Sequence, residues 1–140
     1  MNPYYRIKRI FADSWYNFRS RCQRFKRGYA YGDVWDMDYW FMRTVKPMLI
    51  HLRDHGCSVP NDLYVEEEDS RSQWEDVLTE MVNCLDMMDG DNVKKHLGFG
   101  DFGAWKNMTR EDNLNVYKIM VENKARFFEL FSKHFYDLWD

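Results

Sequence analysis

The sequence has few of the residues that interrupt or cross-link a chain. Among its 140 residues are three Cys, three Pro and seven Gly. Cys22, Cys57 and Cys84 are too few and too scattered for a disulfide framework, and an odd, sparse number is typical of a reducing cytosol. The Arg-rich first twenty residues lack the apolar stretch and cleavage site of a signal peptide, and no run approaches the ~20 apolar residues of a membrane span. We therefore expect a soluble cytoplasmic protein without a membrane partner.

Aromatic residues, in contrast, are abundant. Six Trp, nine Tyr and ten Phe make up 18% of the chain, and nine Met accompany them. Rings contribute large contact areas and lose little rotamer freedom on burial, and Met fills irregular gaps. We expect a bulky core and some rings at an interface.

The net charge of −3 conceals two segments of opposite charge. Residues 1–28 carry eight Lys or Arg and one Asp, a balance of +7, and residues 62–91 carry eleven acids and only Arg71, a balance of −10. One interpretation is complementarity within the chain or between subunits. The other is that the basic segment attracts an anion, such as a phosphate-bearing small molecule. Nucleic acid is disfavoured because the acidic chain as a whole repels a long polyanion.

Apolar residues at spacings of three and four predict helices throughout. The first spans 4–26 and ends at Gly28. The second starts near Asp33 as N-cap, with Asp36 at the third helical position, and its apolar face begins with Val34 and Met37. Pro47 predicts a kink or break of this helix near Arg43–Thr44, and Gly56 ends it. The third is capped by Ser70 or Ser72, and Gly90 ends it. Its predicted apolar face comprises Trp74, Leu78, Met81, Leu85 and Met88.

A long helix to the C-terminus follows a capping signature of Thr109 and Asp112. Its predicted core face comprises Leu114, Tyr117, Val121, Phe128, Phe131, Phe135 and Leu138. Together these patterns predict a single all-α domain over residues 1–140, with four main helices, the second one broken. The last helix is longer than a small domain needs, which favours a homo-oligomer.

Several motifs contain residue types that bind metals, catalyse reactions or bind nucleotides in other proteins. His51 and His55, one turn apart near Asp54 and Cys57, form an incomplete metal-binding pattern. Asp36 and Asp38 diverge by about 200° around a helix, so a catalytic carboxylate pair has little support. The glycines at 98, 100 and 103 match a dinucleotide fingerprint but follow no strand, which favours a lid or docking loop. We predict no catalytic residue, no metal and no cofactor.

The segment 27–43 combines rings that have polar edges with charges of both signs at a loop-to-helix junction. Aromatic rings can stack on a nucleobase, and Arg can form bidentate hydrogen bonds with phosphate. The alternative is that these residues form core and a subunit contact. The predicted ligand-binding residues are Arg24, Arg27, Tyr29, Tyr31, Trp35, Asp36, Tyr39, Trp40 and Arg43.

The pattern Arg27-Gly28-Tyr29, then Asp33-x-Trp35-Asp36-x-Asp38, Pro47, Trp74 and a final Leu138-Trp139-Asp140 resembles a family of small proteins encoded by tailed phages and prophages. The likeness covers most of the chain and is strongest at residues 27–50. It implies a phage accessory protein in the cytoplasm of the infected bacterium rather than a particular reaction. Such accessory proteins often counter host defence, either by binding immune effectors or by sequestering nucleotide-derived signals.

Three functional hypotheses follow. The first is a binding protein that sequesters a nucleotide-derived host immune signal. The second is an inhibitor that binds a host defence protein through the acidic segment 62–91. The third, with least support, is a hydrolase of such a signal that uses Asp36 or Asp38 with His51.

Overall fold

The computed structural model describes the backbone of residues 3–60, 63, 67–100 and 102–139, and their side chains except those of 3–12, 67–69 and 102. Helices account for the regular structure of these residues, which contain no strand, so the predicted all-α class is confirmed. The α-helices are α1 Pro3–Arg27, α2 Met37–His55, α3 Glu67–Met88, α4 Gly90–His96, α5 Phe102–Trp105 and α6 Arg110–Lys133. Short 3-10 helices span Tyr31–Val34 and Phe135–Asp137.

The chain divides into two compact units, Met1–Phe41 and Met42–Asp140. Helix α2 begins in the first and continues into the second. That residues 1–140 form a single domain stays a prediction.

In the first unit, α1 ends where the sequence predicts. Gly28 has a φ of +77°, the left-handed conformation in which glycine ends a helix without steric cost. Its N–H donates to the carbonyl of Arg24 at 2.8 Å. The chain then turns back along α1 through the 3-10 helix Tyr31–Val34. The apolar face of α1 stays exposed at Trp15 (67%) and Phe25 (93%).

Helix α2 differs from its prediction at two points. It starts at Met37 rather than near Asp33, and the carbonyl of Asp36 accepts its first hydrogen bond, from Trp40 N–H at 2.9 Å. The expected N-cap role of Asp33 is therefore wrong, because Asp33 lies in the preceding 3-10 helix. The expected break near Pro47 is also wrong, since Pro47 lies inside a continuous α2. About three turns precede Pro47 and two follow it, so each side keeps its own hydrogen bonds around the one that proline cannot make.

The core of the second unit lies between α3, α4 and α6. The predicted α3 face is confirmed at Trp74, Leu78, Met81 and Leu85, which are each at most 2% exposed, whereas Met88 is only half-buried. The predicted cap at Ser70 or Ser72 is wrong, because α3 begins at Glu67. A Cβ on Gly90 would lie 3.3 Å from Met120 Sδ, so this glycine lets the start of α4 approach α6. Gly90 thus begins α4 as well as following α3.

Helix α6 begins as predicted and buries a different face from the predicted one. Thr109 Oγ1 accepts the N–H of Asp112 at 3.1 Å, and the Asp112 carboxylate accepts the N–H of Thr109 at 2.8 Å. This capping box confirms the predicted start. The buried residues are Val116, Phe127 and Leu130. The predicted core face is wrong at Leu114, Tyr117, Val121, Phe128 and Phe135, which are 37–66% exposed.

Candidate ligand-binding site

Hydrogen bonds hold the segment 28–34 against one side of α1. Arg24 Nε donates to Asp33 Oδ2 at 2.9 Å and Arg24 Nη2 to Asp33 Oδ1 at 2.6 Å. The same carboxylate accepts the N–H of Ala30 at 2.7 Å. One step further, the N–H of Tyr31 donates to Gln23 Oε1 at 3.0 Å. Backbone and side chains of the turn are thus tied to the last two turns of the helix.

Small residues let this turn approach the helix closely. Ser20 on α1 and Ala30 in the turn are both buried. A Cβ on Gly32 would come within 2.7 Å of the Tyr16 hydroxyl oxygen, so any larger residue there would displace that ring. The residues at 16, 20, 23 and 27 follow one another at helical spacing, which explains why one face of α1 receives the turn. The aromatic face bearing Trp15 lies on the other side.

Beside this turn lies a cavity of about 220 Å³. Its walls are Tyr29, Asp33, Val34, Met37 and Trp40, all within the first unit. Binding sites for drug-sized molecules usually measure ~300–1,000 Å³. The cavity is therefore large enough for one ring system and too small to enclose a dinucleotide.

The wall of the cavity offers stacking rather than hydrogen bonding. Tyr29 and Trp40 supply the rings, and Val34 and Met37 supply aliphatic and thioether surface. Asp33 is the one ionisable carboxylate of the wall, and both of its oxygens already accept bonds from Arg24 or Ala30. The geometry therefore suits a flat, largely apolar group such as a heteroaromatic ring.

A positive charge lies next to this wall. The Arg27 guanidinium carbon lies 4.7 Å from the centroid of the Tyr31 ring and 5.8 Å from that of Tyr29. Hydrogen bonding to Arg27 lowers the pKa of the Tyr31 phenol, and the same bond raises the pKa of the guanidinium. Arg27 is exposed and is not itself a wall residue, and Tyr29 is the wall residue that it contacts. An anionic substituent on a ring held by Tyr29 would meet this charge.

The predicted site residues fall into three groups. Tyr29 and Trp40 line the cavity. Arg24, Arg27 and Tyr31 hold or flank the turn, and two donors of Arg24 are used by Asp33. The remaining predicted residues are outside the cavity wall: Trp35 (90% exposed), Asp36, Tyr39 (49% exposed) and Arg43. Arg43 belongs to the second unit.

Sequence reasoning missed three wall residues. Asp33 was assigned to a helix N-cap, and Val34 and Met37 to the apolar face of the second helix. Their signal is present in hindsight: Asp33 stands three residues after Ala30, the spacing at which an acid reaches back to a backbone N–H. The position of Met37 depends on where α2 starts, and α2 starts three residues later than an N-cap at Asp33 would place it.

The other motifs form internal contacts. His51 and His55 stack with their ring centroids 4.8 Å apart, and Asp54 pairs with Arg53. Among the described residues no group of three or more His, Cys, Asp or Glu is placed to hold a metal. In the glycine-rich loop, Trp105 Nε1 donates to the carbonyl of Phe99 at 2.9 Å.

Much of the acidic segment is used in bonds within the second unit. Glu75, Glu80, Asp86 and Asp91 lie in ion pairs with Arg71, Arg126, Lys46 and Lys94 respectively. Asp89 caps α4 by accepting the N–H of Asp91. The side chains of the acidic run 66–69 lie outside the described residues. These acids therefore pair with cations of the second unit itself. Complementarity with the basic segment 1–28 and a role in binding a host protein both stay predictions.

Comparison of the chain with protein-family models, curated protein sequences and solved structures yields no significant match. Among the described helices, none combines the length and the apolar character needed to traverse a bilayer.

Proposed function

We propose that this protein binds a nucleotide-derived small molecule without transforming it, with the base in the cavity between Tyr29 and Trp40. The observation that carries the proposal is the juxtaposition of this ring-walled cavity with the Arg27 guanidinium, 5.8 Å from the Tyr29 ring. A base stacks on such rings with ~1–3 kcal/mol each, irrespective of its hydrogen-bonding edge. Guanidinium groups are well suited to phosphate.

The volume of the cavity limits how much of a ligand it can enclose. A cavity of about 220 Å³ takes one base, so a cyclic dinucleotide would have one base enclosed and the other outside. A mononucleotide, or a signal with a single adenine such as an ADP-ribose derivative, uses the cavity and Arg27 together. Asp33 already accepts three hydrogen bonds, so the cavity should discriminate only weakly between different nucleobases.

The biological role we propose is sequestration of a nucleotide-derived immune signal in the cytoplasm of a phage-infected bacterium. Its support is the resemblance of residues 27–50 to small phage accessory proteins, together with a cavity that offers binding surface. Asp36 and Asp38 are exposed and lie outside the cavity wall, which gives the hydrolase hypothesis no geometric support.

Isothermal titration of the full chain tests the proposal. The panel comprises AMP, ADP, ADP-ribose, a cyclic dinucleotide and ribose 5-phosphate, which has the phosphate without a base. We expect heat from the base-containing ligands and none from ribose 5-phosphate. Chromatography of the mixture over time should return the ligand unchanged. Equal binding of ribose 5-phosphate, silence across the panel or steady ligand loss would each contradict the proposal.

A further inference from the structure

Helix α6 carries a second apolar stripe besides the one that it buries. The stripe comprises Leu114, Tyr117, Val121 and Phe128, and Phe135 continues it in the 3-10 helix that follows. Spacings of three, four and seven put these residues on one side of a helix, roughly 130° away from the buried face at 100° per residue. Their exposed fractions are 58%, 66%, 37%, 47% and 55% in that order.

We infer that this stripe pairs with the same stripe of a second copy of the chain, with the two α6 helices antiparallel. Large apolar side chains bury up to ~150–250 Å² each, so five that are about half exposed offer on the order of 500 Å² per copy. A pair would bury about 1,000 Å², the lower end of specific interfaces. This area supports a weak, reversible dimer.

The direction of pairing follows from charge along one flank of the stripe. In an antiparallel pair about a two-fold axis, a given flank meets the same flank of the other helix. With the axis midway between Val121 and Phe128, Lys118 lies two residues, or ~3 Å, along the helix from the position opposite the partner subunit's Glu129. The long side chains reach across this offset, and the pair occurs twice. Lys118 and Glu129 now pair only within their own helix, with Glu122 at 3.8 Å and Arg126 at 3.0 Å. Such exposed pairs within a helix are weak and exchange readily.

The opposite flank sets a limit on affinity. Lys124 is exposed there, close to the two-fold axis, so it approaches its own counterpart. Its four-carbon stem lets the ammonium group turn toward water. Repulsion at this point adds to the small area in keeping the dimer weak.

Sedimentation velocity of the full chain over a range of concentrations tests the interface. We expect a reversible monomer–dimer equilibrium that Phe128→Glu shifts at least tenfold toward monomer, because it places a charge in the stripe of each copy. The matched control is Asn115→Glu, an exposed residue on the side of α6 away from the stripe. Circular dichroism and the thermal midpoint establish that both variants stay folded.

Charge reversal at Lys118 and Glu129 distinguishes loss of the interface from destabilisation of the fold. Lys118→Glu and Glu129→Lys should each weaken the dimer, and the two together should restore it. Ala125→Cys, near the two-fold axis, should form a disulfide-linked dimer when Cys22 and Cys57 are replaced by Ser. A chain that is monomeric at every concentration, a dimer that tolerates Phe128→Glu, or a double charge variant no better than the single ones would overturn the inference. A dimer lost with Phe25→Glu in α1 and kept with Phe128→Glu would do the same. None of these results bears on nucleotide binding in the first unit.

Discussion

Arg24 holds both carboxylate oxygens of Asp33, at 2.9 Å from Nε to Oδ2 and 2.6 Å from Nη2 to Oδ1. The two residues stand nine positions apart, one on the last turns of α1 and one in the 3-10 helix. Because Asp33 is also a wall of the cavity, this pair sets the position of the turn that carries Tyr29.

Replacing Asp33 by Asn should loosen the turn. The substitution removes the charge from both bonds with Arg24 and weakens the acceptor for Ala30 N–H. After allowance for the half-exposed guanidinium, we expect a loss of about 1 kcal/mol in local stability. Hydrogen exchange should show the amide of Ala30 exchanging about fivefold faster. Asp38→Asn, an exposed acid on α2, serves as control and should leave that rate unchanged.

The pair of Glu80 and Arg126 should make stability depend on pH. Hydrogen bonding to Arg126 lowers the pKa of Glu80, so the folded chain binds the proton less readily than the unfolded chain. The contribution is fully present above the unfolded pKa of ~4.3 and is lost as the pH falls through the lower folded value.

Urea unfolding of wild type and Glu80→Gln at several pH values measures this effect. At neutral pH we expect a difference of about 0.5–1 kcal/mol, since both side chains are 44% exposed. The difference should shrink as the pH falls below the unfolded pKa and protonation of Glu80 removes its charge. A difference that does not change with pH would show that Glu80 acts through packing instead of charge.

Pro47 should cost α2 stability. Its ring removes the hydrogen bond to the carbonyl of Arg43 and crowds that oxygen. Pro47→Ala should raise the free energy of unfolding by about 2 kcal/mol, the helix penalty of ~3 kcal/mol less the ~1 kcal/mol of entropy that proline removes from the unfolded chain. Met48→Ala at the exposed neighbouring position should have little effect. An unchanged free energy in Pro47→Ala would mean that the backbone around Arg43 keeps its proline geometry.

Arg71 should stabilise the junction of α2 and α3. It donates to the carbonyls of Arg53 and Gly56 at the end of α2 and to Glu75 one turn along α3. Arg71→Met should lower the free energy of unfolding by about 2 kcal/mol, the usual size for several bonds to a charged group. Lys95→Met, an exposed change on α4, is the control. If both variants unfold alike, the contacts of Arg71 contribute no net stability.

Structural features that depend on residues only a few positions apart could be predicted from the sequence. The box of Thr109 and Asp112 and the left-handed Gly28 depend on their immediate neighbours, and both are as expected. The face of α3 could also be predicted, because its apolar residues form one stripe. Helix α6 has two stripes, and the sequence does not indicate which of them meets α3.

The candidate site was located only in part for the same reason. The sequence predicts Tyr29 and Trp40 as site residues because the segment 27–43 is unusually rich in aromatic residues. Asp33 was misassigned because an acid at a helix start has a sufficient local explanation, and its pairing with Arg24 across the turn leaves no periodic pattern. Trp35 was included for its ring alone, and the structure leaves it 90% exposed outside the cavity wall.

The most direct test of the central claim compares Trp40→Ala with Trp35→Ala by isothermal titration against AMP or ADP-ribose. Both changes remove an indole from the same short segment, and only Trp40 lines the cavity. Loss of one stacked ring costs ~1–3 kcal/mol, so Trp40→Ala should raise the Kd by about tenfold or more, whereas Trp35→Ala should stay within about twofold of wild type. Equal Kd values for the two variants, or a greater loss with Trp35→Ala, would contradict a base held between Tyr29 and Trp40.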